Sequence, residues 1–567
     1  MTDDDSNQRS NSSGNQLTGD TIGRLERRDY LRSVGIAGLL GGLGVGAGVP
    51  GTVGAQQAGD WEDAAEDRIE EYRTGDLEVD VVNPDGSAVD GATVEIEQQD
   101  HEYDFGTMIH AEFLIDQAEW GEEMHTPEDQ AEYEETVEDL FNMVVLENVH
   151  KWYLWEDNVD IADAAVDWAI DREMDVRGHV ALWGNIDGYA VPPRVVEAMG
   201  DPWASEWDEA GDADPDPDYV VSEAMDHIED IISHYGDDVS EWEVKNEVIH
   251  ETAMIEAVEG EDADPVEAEI LGDWYEYAEE VADEYGVDIA VNDFNVLVGP
   301  YQDTRDDYER QIDYLVNDRD IDLDGIGFQC HFASDETLEP DEVLDGLEQF
   351  EGYGAGFRAT EFDTFQGNWS SPDEQGEYLY EFMKTWFSHP NTDAFLVWGH
   401  WDGVHWGPEY DGSDADAPLF DEDWNEKPGY DAYTDLVFDE WWTDESGASD
   451  DGVYETTAFL GEHEVTVSTD DDSTTETVSV TDADGTTTVE ITVEGDGNGD
   501  DPGNGDNGDN GDDDDDDNDD GDYPEWDADE VYTDGDRVSW DGTNWEAQWH
   551  TQNQEPGADE WGPWDEV

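Results

Sequence analysis

Lysine is nearly absent from this sequence: Lys151, Lys245, Lys384 and Lys427 are the four it contains. Lysine and arginine together number 19 against 158 aspartates and glutamates, a formal net charge of −139 over 567 residues. A charge so one-sided argues against nucleic acid or an anionic membrane surface as a partner, because both would repel it. Self-repulsion also penalises any compact state at low ionic strength. Molar salt shortens the Debye length to roughly 3 Å and removes most of that penalty, so the composition points to an extreme halophile. Global disorder fits poorly with what is present. Hydrophobic residues make up 36% and aromatics 11%, with 24 tryptophans, whereas chains unable to bury a core are poor in aromatics. In a chain so depleted of lysine, each retained one is expected to be paired. The single cysteine, Cys330, excludes an intramolecular disulfide. In the apolar run GIGFQCHF it reads as a buried structural thiol.

The N-terminus carries Arg27-Arg28-Asp29-Tyr30-Leu31 and then an uncharged, Gly-rich apolar stretch from Val34 to about Val53. It resembles a twin-arginine signal (residues 1–55) with a small-residue cleavage pattern at Val53-Gly54-Ala55. Its glycines make it weakly hydrophobic, which favours export over a membrane anchor. The expectation is a secreted, extracellular protein that starts near Gln56 and has no membrane association after signal removal. Residues 56–104 are expected to be β-rich, because LEVDVV and ATVEIE alternate around a turn at Asn83-Pro84-Asp85-Gly86. Residues 445–495 alternate again and predict a small β-sandwich-like module. Residues 496–522 are almost wholly Gly, Asp and Asn, an extended, self-repelling linker. Residues 523–567 form a compact tryptophan-rich tail.

Between these flanks, from residue 105 to about 440, short apolar runs alternate with segments of helical spacing. MVVLEN, VRGHVALW, SEWEVKNE, DIAVNDFN, DGIGFQCHF, GFRATEFDT and AFLVWGHWD are the runs, and VVSEAMDHIEDIISHYG typifies the segments between them. Such alternation predicts an α/β fold. Polar residues at the C-terminal ends of the runs favour a (β/α)8 TIM barrel, with small flanking all-β modules, over a doubly wound sheet.

Two carboxylates close such runs: Glu247 in WEVKNEVIHE and Glu361 in ATEFDT. Glycoside hydrolysis requires two such groups, one to protonate the leaving oxygen and one to attack the anomeric carbon or activate water. The run WEVKNE resembles the Trp-Asp-Val-Val-Asn-Glu signature of glycoside hydrolase family 10, and ATEFD resembles its Thr-Glu-Leu-Asp signature. The resemblance implies Glu247 as acid/base and Glu361 as nucleophile, after the fourth and seventh barrel strands, in an endo-acting, retaining β-1,4-xylanase. It implies that Asn246 meets the sugar 2-hydroxyl. Leu146 to Trp152 resembles the second-strand motif, whose Glu147, Asn148 and Lys151 would bind sugar on the glycone side. His179 and Trp183 belong to a third-strand Arg-Gly-His-x-x-x-Trp motif, and Asn292 to Asn295 resembles the fifth-strand motif. Gln329 and His331 resemble the sixth-strand Gln-x-His motif, with His331 expected on Glu361 and Asp363 completing the network. Trp398, Asp402 and Trp406 resemble the eighth-strand motif. Glu247 must stay protonated near neutrality while Glu361 is ionised, so their surroundings must differ.

The sequence departs from the family pattern twice. Gly184 stands where His usually follows Trp183, and His405 replaces a Ser, which opens the question of subsite preference. Lys245 is expected on the strand face opposite Asn246 and receives no catalytic role. No metal, phosphate-loop or nucleophilic-serine motif appears, so neither a metal nor a cofactor is expected. The tail resembles family 5/12 carbohydrate-binding modules, which implies binding to insoluble cellulose or chitin through Trp549 first and Tyr532 second. Xylan is the expected substrate. Another β-1,4-glycan, or a non-catalytic polysaccharide-binding surface protein, remains the alternative.

Overall fold

In the computed structural model the apolar runs become parallel strands. The structure describes residues 55–494 except 121–125, 187, 189, 201–202, 204–214, 300, 368, 408–415, 470–471 and 484, together with five short strands between 531 and 566. The strands in chain order are β1 (Thr74–Val82), β2 (Thr93–His101), β3 (Asp104–Ile109), β4 (Met143–Leu146), β5 (Asp175–Gly178), β6 (Leu182–Trp183), β7 (Glu241–Asn246), β8 (Asp288–Asp293), β9 (Gly325–Phe328), β10 (His331–Ala333), β11 (Gly356–Gln366) and β12 (Thr392–Val397). After them come β13 (Asp444–Ala448), β14 (Val453–Phe459), β15 (Gly461–Ser468), β16 (Ser473–Val480) and β17 (Thr486–Thr492).

Strands β3, β4, β5, β7, β8, β9, β11 and β12 pair in parallel, and β12 returns to β3, closing an eight-stranded barrel. The expected (β/α)8 TIM barrel is thus present, with helices such as Pro127–Leu140, Pro217–Tyr235 and Pro372–Phe387 connecting the strands. Their starts are chemically marked. Thr126 makes a capping box with Asp129, and Ser371 accepts the Glu374 amide, each ahead of a proline in the first turn. Barrel strands are buried on both faces, which is why β4 and β9 read as continuous apolar runs rather than as alternation, while β7 (EWEVKN) is buried along its whole length with charged residues in it.

The barrel interior is not wholly apolar. Met108, Met143, Val145, Leu396 and Trp398 fill one layer, but a chain of buried charges runs beside them. Arg358 pairs with Glu241 at 2.7 Å, Glu241 with Arg177 at 2.8 Å, Arg177 with Glu243, and Glu243 with His179 at 2.9 Å. Gly178, between Arg177 and His179, is required by close approach: a Cβ there would lie 2.3 Å from the Trp242 ring. Removing one member of a buried pair leaves the other uncompensated. Arg177→Ala is therefore expected to cost about 3–5 kcal/mol of stability. A denaturant titration at fixed molar salt checks this, and an unchanged midpoint would contradict it.

The flanks behave differently from their separate readings. Residues 56–104, expected to be β-rich, open with a helix, Ala55–Tyr72. Its Ala-, Glu- and Gln-rich composition favours helix, and Ala65 and Ile69, spaced i to i+4, are buried. The alternating segments on either side of the barrel pair with each other. One sheet is ordered β14-β1-β17 and the other β13-β2-β15-β16, around a core of Leu77, Val79, Val81, Val94, Ile96, Val465, Val467, Val480 and Ile491. A lone hairpin of β1 and β2 could not cover its own apolar face, and the second set of strands supplies what it lacks.

Residues Gly497–Val567 form a separate unit. Within it Arg537–Trp540 pairs antiparallel with Thr543–Ala547, which pairs with Trp564–Glu566, and Val538 is buried. Tyr532 lies on the short strand Val531–Tyr532. Trp549, the signal segment 1–54 and the linker 496–522 lie outside the described residues.

Candidate active site

Glu247 follows directly on β7, and Glu361 lies within β11, so the fourth and seventh barrel strands deliver them as expected. Both are almost fully buried, at 8% and 4% exposed. Their surroundings differ. Glu247 accepts Trp183 Nε1 at 2.8 Å on one oxygen and Gln329 Nε2 at 2.9 Å on the other. Burial, then the charge of Asp293, and Glu361 beyond it, push its carboxyl up to about 7. It is thus a carboxylic acid able to hold its proton near neutrality.

Glu361 accepts Asn292 Nδ2 at 2.8 Å and meets His331 Nε2 at 3.2 Å. The other ring nitrogen of His331 lies 2.8 Å from Asp363, whose same oxygen accepts Trp406 Nε1 at 2.9 Å. Burial alone would lower the His331 pKa. The Asp363 charge and hydrogen bond, with Glu361 after them, outweigh it and lift the group to about 10. His331 is therefore an imidazolium that donates to Asp363 and to Glu361 and so fixes the orientation of the Glu361 side chain.

Asn246 is 1% exposed. Its Oδ1 accepts Asn292 Nδ2 at 3.3 Å, while its own Nδ2 is buried without a hydrogen-bond partner. A buried amide donor left free beside two catalytic-type carboxylates is a group awaiting a ligand acceptor. Across the mouth, Lys151 donates to Asn148 Oδ1 at 2.8 Å and lies 5.0 Å from the Trp183 ring centre, a cation–π contact. Glu147 meets His110 at 3.3 Å, with Glu112 on the other side of that ring. Trp398 meets His179 edge-on at 5.2 Å, and Trp406 lies 5.0 Å from His331. The residues singled out in the barrel sequence thus gather around one mouth. His405 is buried there, accepts the Gly407 amide through Nδ1, and is lowered by its burial to about 4, so it is a neutral ring.

Sequence reasoning placed Asn292 in a strand motif but gave it no role, and missed the layer it builds beneath with Glu243 and Thr360. Asn292 holds Glu361, Asn246 and Glu243 at once through Nδ2, and Thr360 donates to its Oδ1 at 2.8 Å. Glu243 connects His179 and Arg177 to that amide. The available signal was Glu243 itself, an acid inside a run otherwise destined for burial. His179, Glu243 and Glu361 bring one ligand atom each within 4.8 Å, a grouping compatible with a metal ion. His179 bonds Glu243, and Glu243 and Glu361 both accept Asn292, so the three belong to one hydrogen-bonded network beneath the mouth.

The family model for glycosyl hydrolase family 10 matches residues 106–436. The anti-sigma-I factor RsgI6 of Acetivibrio thermocellus is 24% identical over 417 residues, covering 72% of this chain and 47% of that protein. Endo-1,4-beta-xylanase B of Thermotoga neapolitana is 23% identical over 319 residues, 54% of this chain and 84% of that one. The crystal structure of xylanase 10B from Thermotoga petrophila RKU-1 in complex with xylobiose covers 60% of this chain and 95% of its own, at 22% identity and a TM-score of 0.49. The chain thus spans about half the length of the anti-sigma factor and most of the length of the xylanases.

Proposed function

This chain belongs to glycosyl hydrolase family 10, and on that premise we propose that it is a retaining endo-1,4-β-xylanase adapted to high salt and exported from the cell. The observation that carries the chemistry is the divergence of two buried carboxylic groups: Glu247 raised to about 7, and Glu361 held by an amide and an imidazolium. In the first step a Glu361 oxygen bonds to the anomeric carbon as the glycosidic C–O bond breaks. The Glu247 proton passes to the departing oxygen. In the second step ionised Glu247 takes a proton from water, the water oxygen bonds to the anomeric carbon, and Glu361 leaves as carboxylate. Asn246 Nδ2 would meet the 2-hydroxyl, a contact that strengthens as positive charge develops on the ring.

Names of the similar xylanases support xylan as substrate, and the endo mode agrees with them. The surplus of 158 acids over 19 bases supports salt adaptation. The twin-arginine pattern supports export, and the tail, through Trp549 and Tyr532, would hold the enzyme on insoluble cellulose or chitin. The test is release of reducing ends from xylan, carboxymethyl-cellulose and chitin in molar salt, with NMR of the first-formed anomer. Short oligomers from xylan alone, released as the β-anomer, are expected. Activity on another polymer only would move the substrate and leave the barrel chemistry in place. Silence on all three from folded protein would sink the enzymatic reading and leave a polysaccharide-binding surface protein.

A further inference from the structure

Lys245 was expected to face away from the chemistry, but its ammonium returns to it. The residue is fully buried. Its Nζ donates to two backbone carbonyls, Asn246 at 2.5 Å and Glu251 at 3.3 Å. One of these residues precedes Glu247, and the other closes the turn that begins there. Glu247 itself has φ of +56°, a left-handed conformation that side chains other than glycine adopt only where the surroundings enforce it. The Glu247 carbonyl accepts the amides of Glu251 at 2.7 Å and His250 at 3.2 Å, which makes the turn tight.

Two further features fit that turn. A Cβ at Gly184 would stand 2.6 Å from the Glu251 carbonyl, so the residue after Trp183 is small where that carbonyl descends. From the other side Asp293 accepts the Ile249 amide at 3.0 Å and meets His250 Nδ1 at 2.6 Å. The turn is thus held through two carbonyls by Lys245 and through the Ile249 amide and the His250 ring by Asp293. We propose that Lys245 is a positioning residue for the acid/base, its ammonium tying Asn246 to Glu251 so that Glu247 keeps the backbone conformation that delivers its carboxyl to Trp183 and Gln329. This rests on Glu247 being the acid/base.

The same ammonium acts through space. Burial lowers its pKa to about 8, against the opposing pull of Glu247, Asp293 and Glu251; His250 on Asp293 and the buried Tyr275 phenol against the Lys245 backbone are the other titratable groups there. Buried charge is poorly screened by salt, so a cation there favours ionised Glu247 at any salt concentration.

The experiment uses the full chain with Lys245→Met and Lys245→Gln, measuring kcat and KM on xylan from pH 5 to 9 in molar salt. Lys245→Met is expected to lower kcat about tenfold with KM little changed, and to move the descending limb of kcat/KM up by roughly half to one pH unit. Lys245→Gln keeps an N–H donor without the charge, and is expected to recover kcat while keeping the displaced limb. A folded Lys245→Met with wild-type kcat, or with reduced kcat and an unmoved limb, would overturn the proposal. Should Lys245→Met fail to fold, Gly184→Ala pushes the Glu251 carbonyl away with the lysine intact. A fall in kcat at constant KM is then expected, and wild-type kinetics would overturn the proposal. Glu247→Ala separates the two levels: a descending limb that survives in it would remove the premise, whatever Lys245 does.

Discussion

Glu361→Ala is expected to lower kcat on xylan by on the order of ten-thousand-fold or more, with the protein still folded. Removing a nucleophile removes the covalent route, and losses of that size are usual for such groups. The cause is local. Asn292 Nδ2 and His331 Nε2 lose their shared acceptor, but each keeps another, Asn246 or Glu243 for the first residue and Asp363 for the second. Reducing-end release measures the loss, and thermal unfolding in the same salt shows that the fold is retained. The alanine leaves a cavity facing the anomeric carbon, so added azide should restore turnover on an activated aryl glycoside and give the glycosyl azide of inverted configuration. Full hydrolysis of xylan by the variant would sink the assignment.

The second large effect separates acid from nucleophile. Glu247→Ala is expected to lower kcat/KM on xylan by about a hundred- to ten-thousand-fold, the range of general acid–base catalysis. On an aryl glycoside whose phenolate leaves without a proton, the first step should be nearly unaffected, so the glycosyl-enzyme accumulates in a burst. The pH dependence follows from the same group. The reacting form of Glu247 is protonated, and its pKa is raised to about 7. Wild-type kcat/KM should therefore hold below 7 and fall about tenfold per unit above it. Glu247→Ala should lose that descending limb. Equal damage on both substrates would argue that Glu247 supports the fold rather than donating the proton.

Much of this site could be read from residue order alone. Glu247 and Glu361 each close a strand-like run, EWEVKN and GFRAT, and in a parallel barrel the C-terminal ends of the strands form the mouth. Gln329, His331 and Asp363 were legible through the family motifs they resemble, and the structure places His331 opposite Asp363 in the β10–β11 pairing. Arg177 was legible as the first residue of the third-strand motif, but its ion pairs, and the burial of Glu241 and Arg358, were not. In a chain with 158 acids a charge inside a strand looks like a solvated position, and only closure of the barrel shows that the alternate face is interior. Lys245 was hidden by a register shift between Glu243 and Lys245 in the β7–β8 pairing, and by a bond to a carbonyl six residues away. The flanking strands were legible as alternation, but their partners were not, for another reason. β1 and β2 find their partners beyond the whole barrel, and no local pattern encodes so distant a pairing.

That distant pairing sets an order of events during synthesis. β1 leaves the ribosome before any barrel strand, yet Asp76 lies opposite Thr486 and Thr457. Until β14 and β17 exist, the first strand waits with open edges, and acids such as Asp76, Glu78 and Asp80 along it oppose its pairing with other chains. The barrel can close in the meantime. The last strands then stitch its beginning to its end, and the loop entropy of that stitch falls only after the barrel has shortened the effective distance. Once made, the join removes both loose ends at once, so neither the first nor the last barrel element can peel away without parting the strands of two sheets. Such a clasp slows unfolding more than it speeds folding.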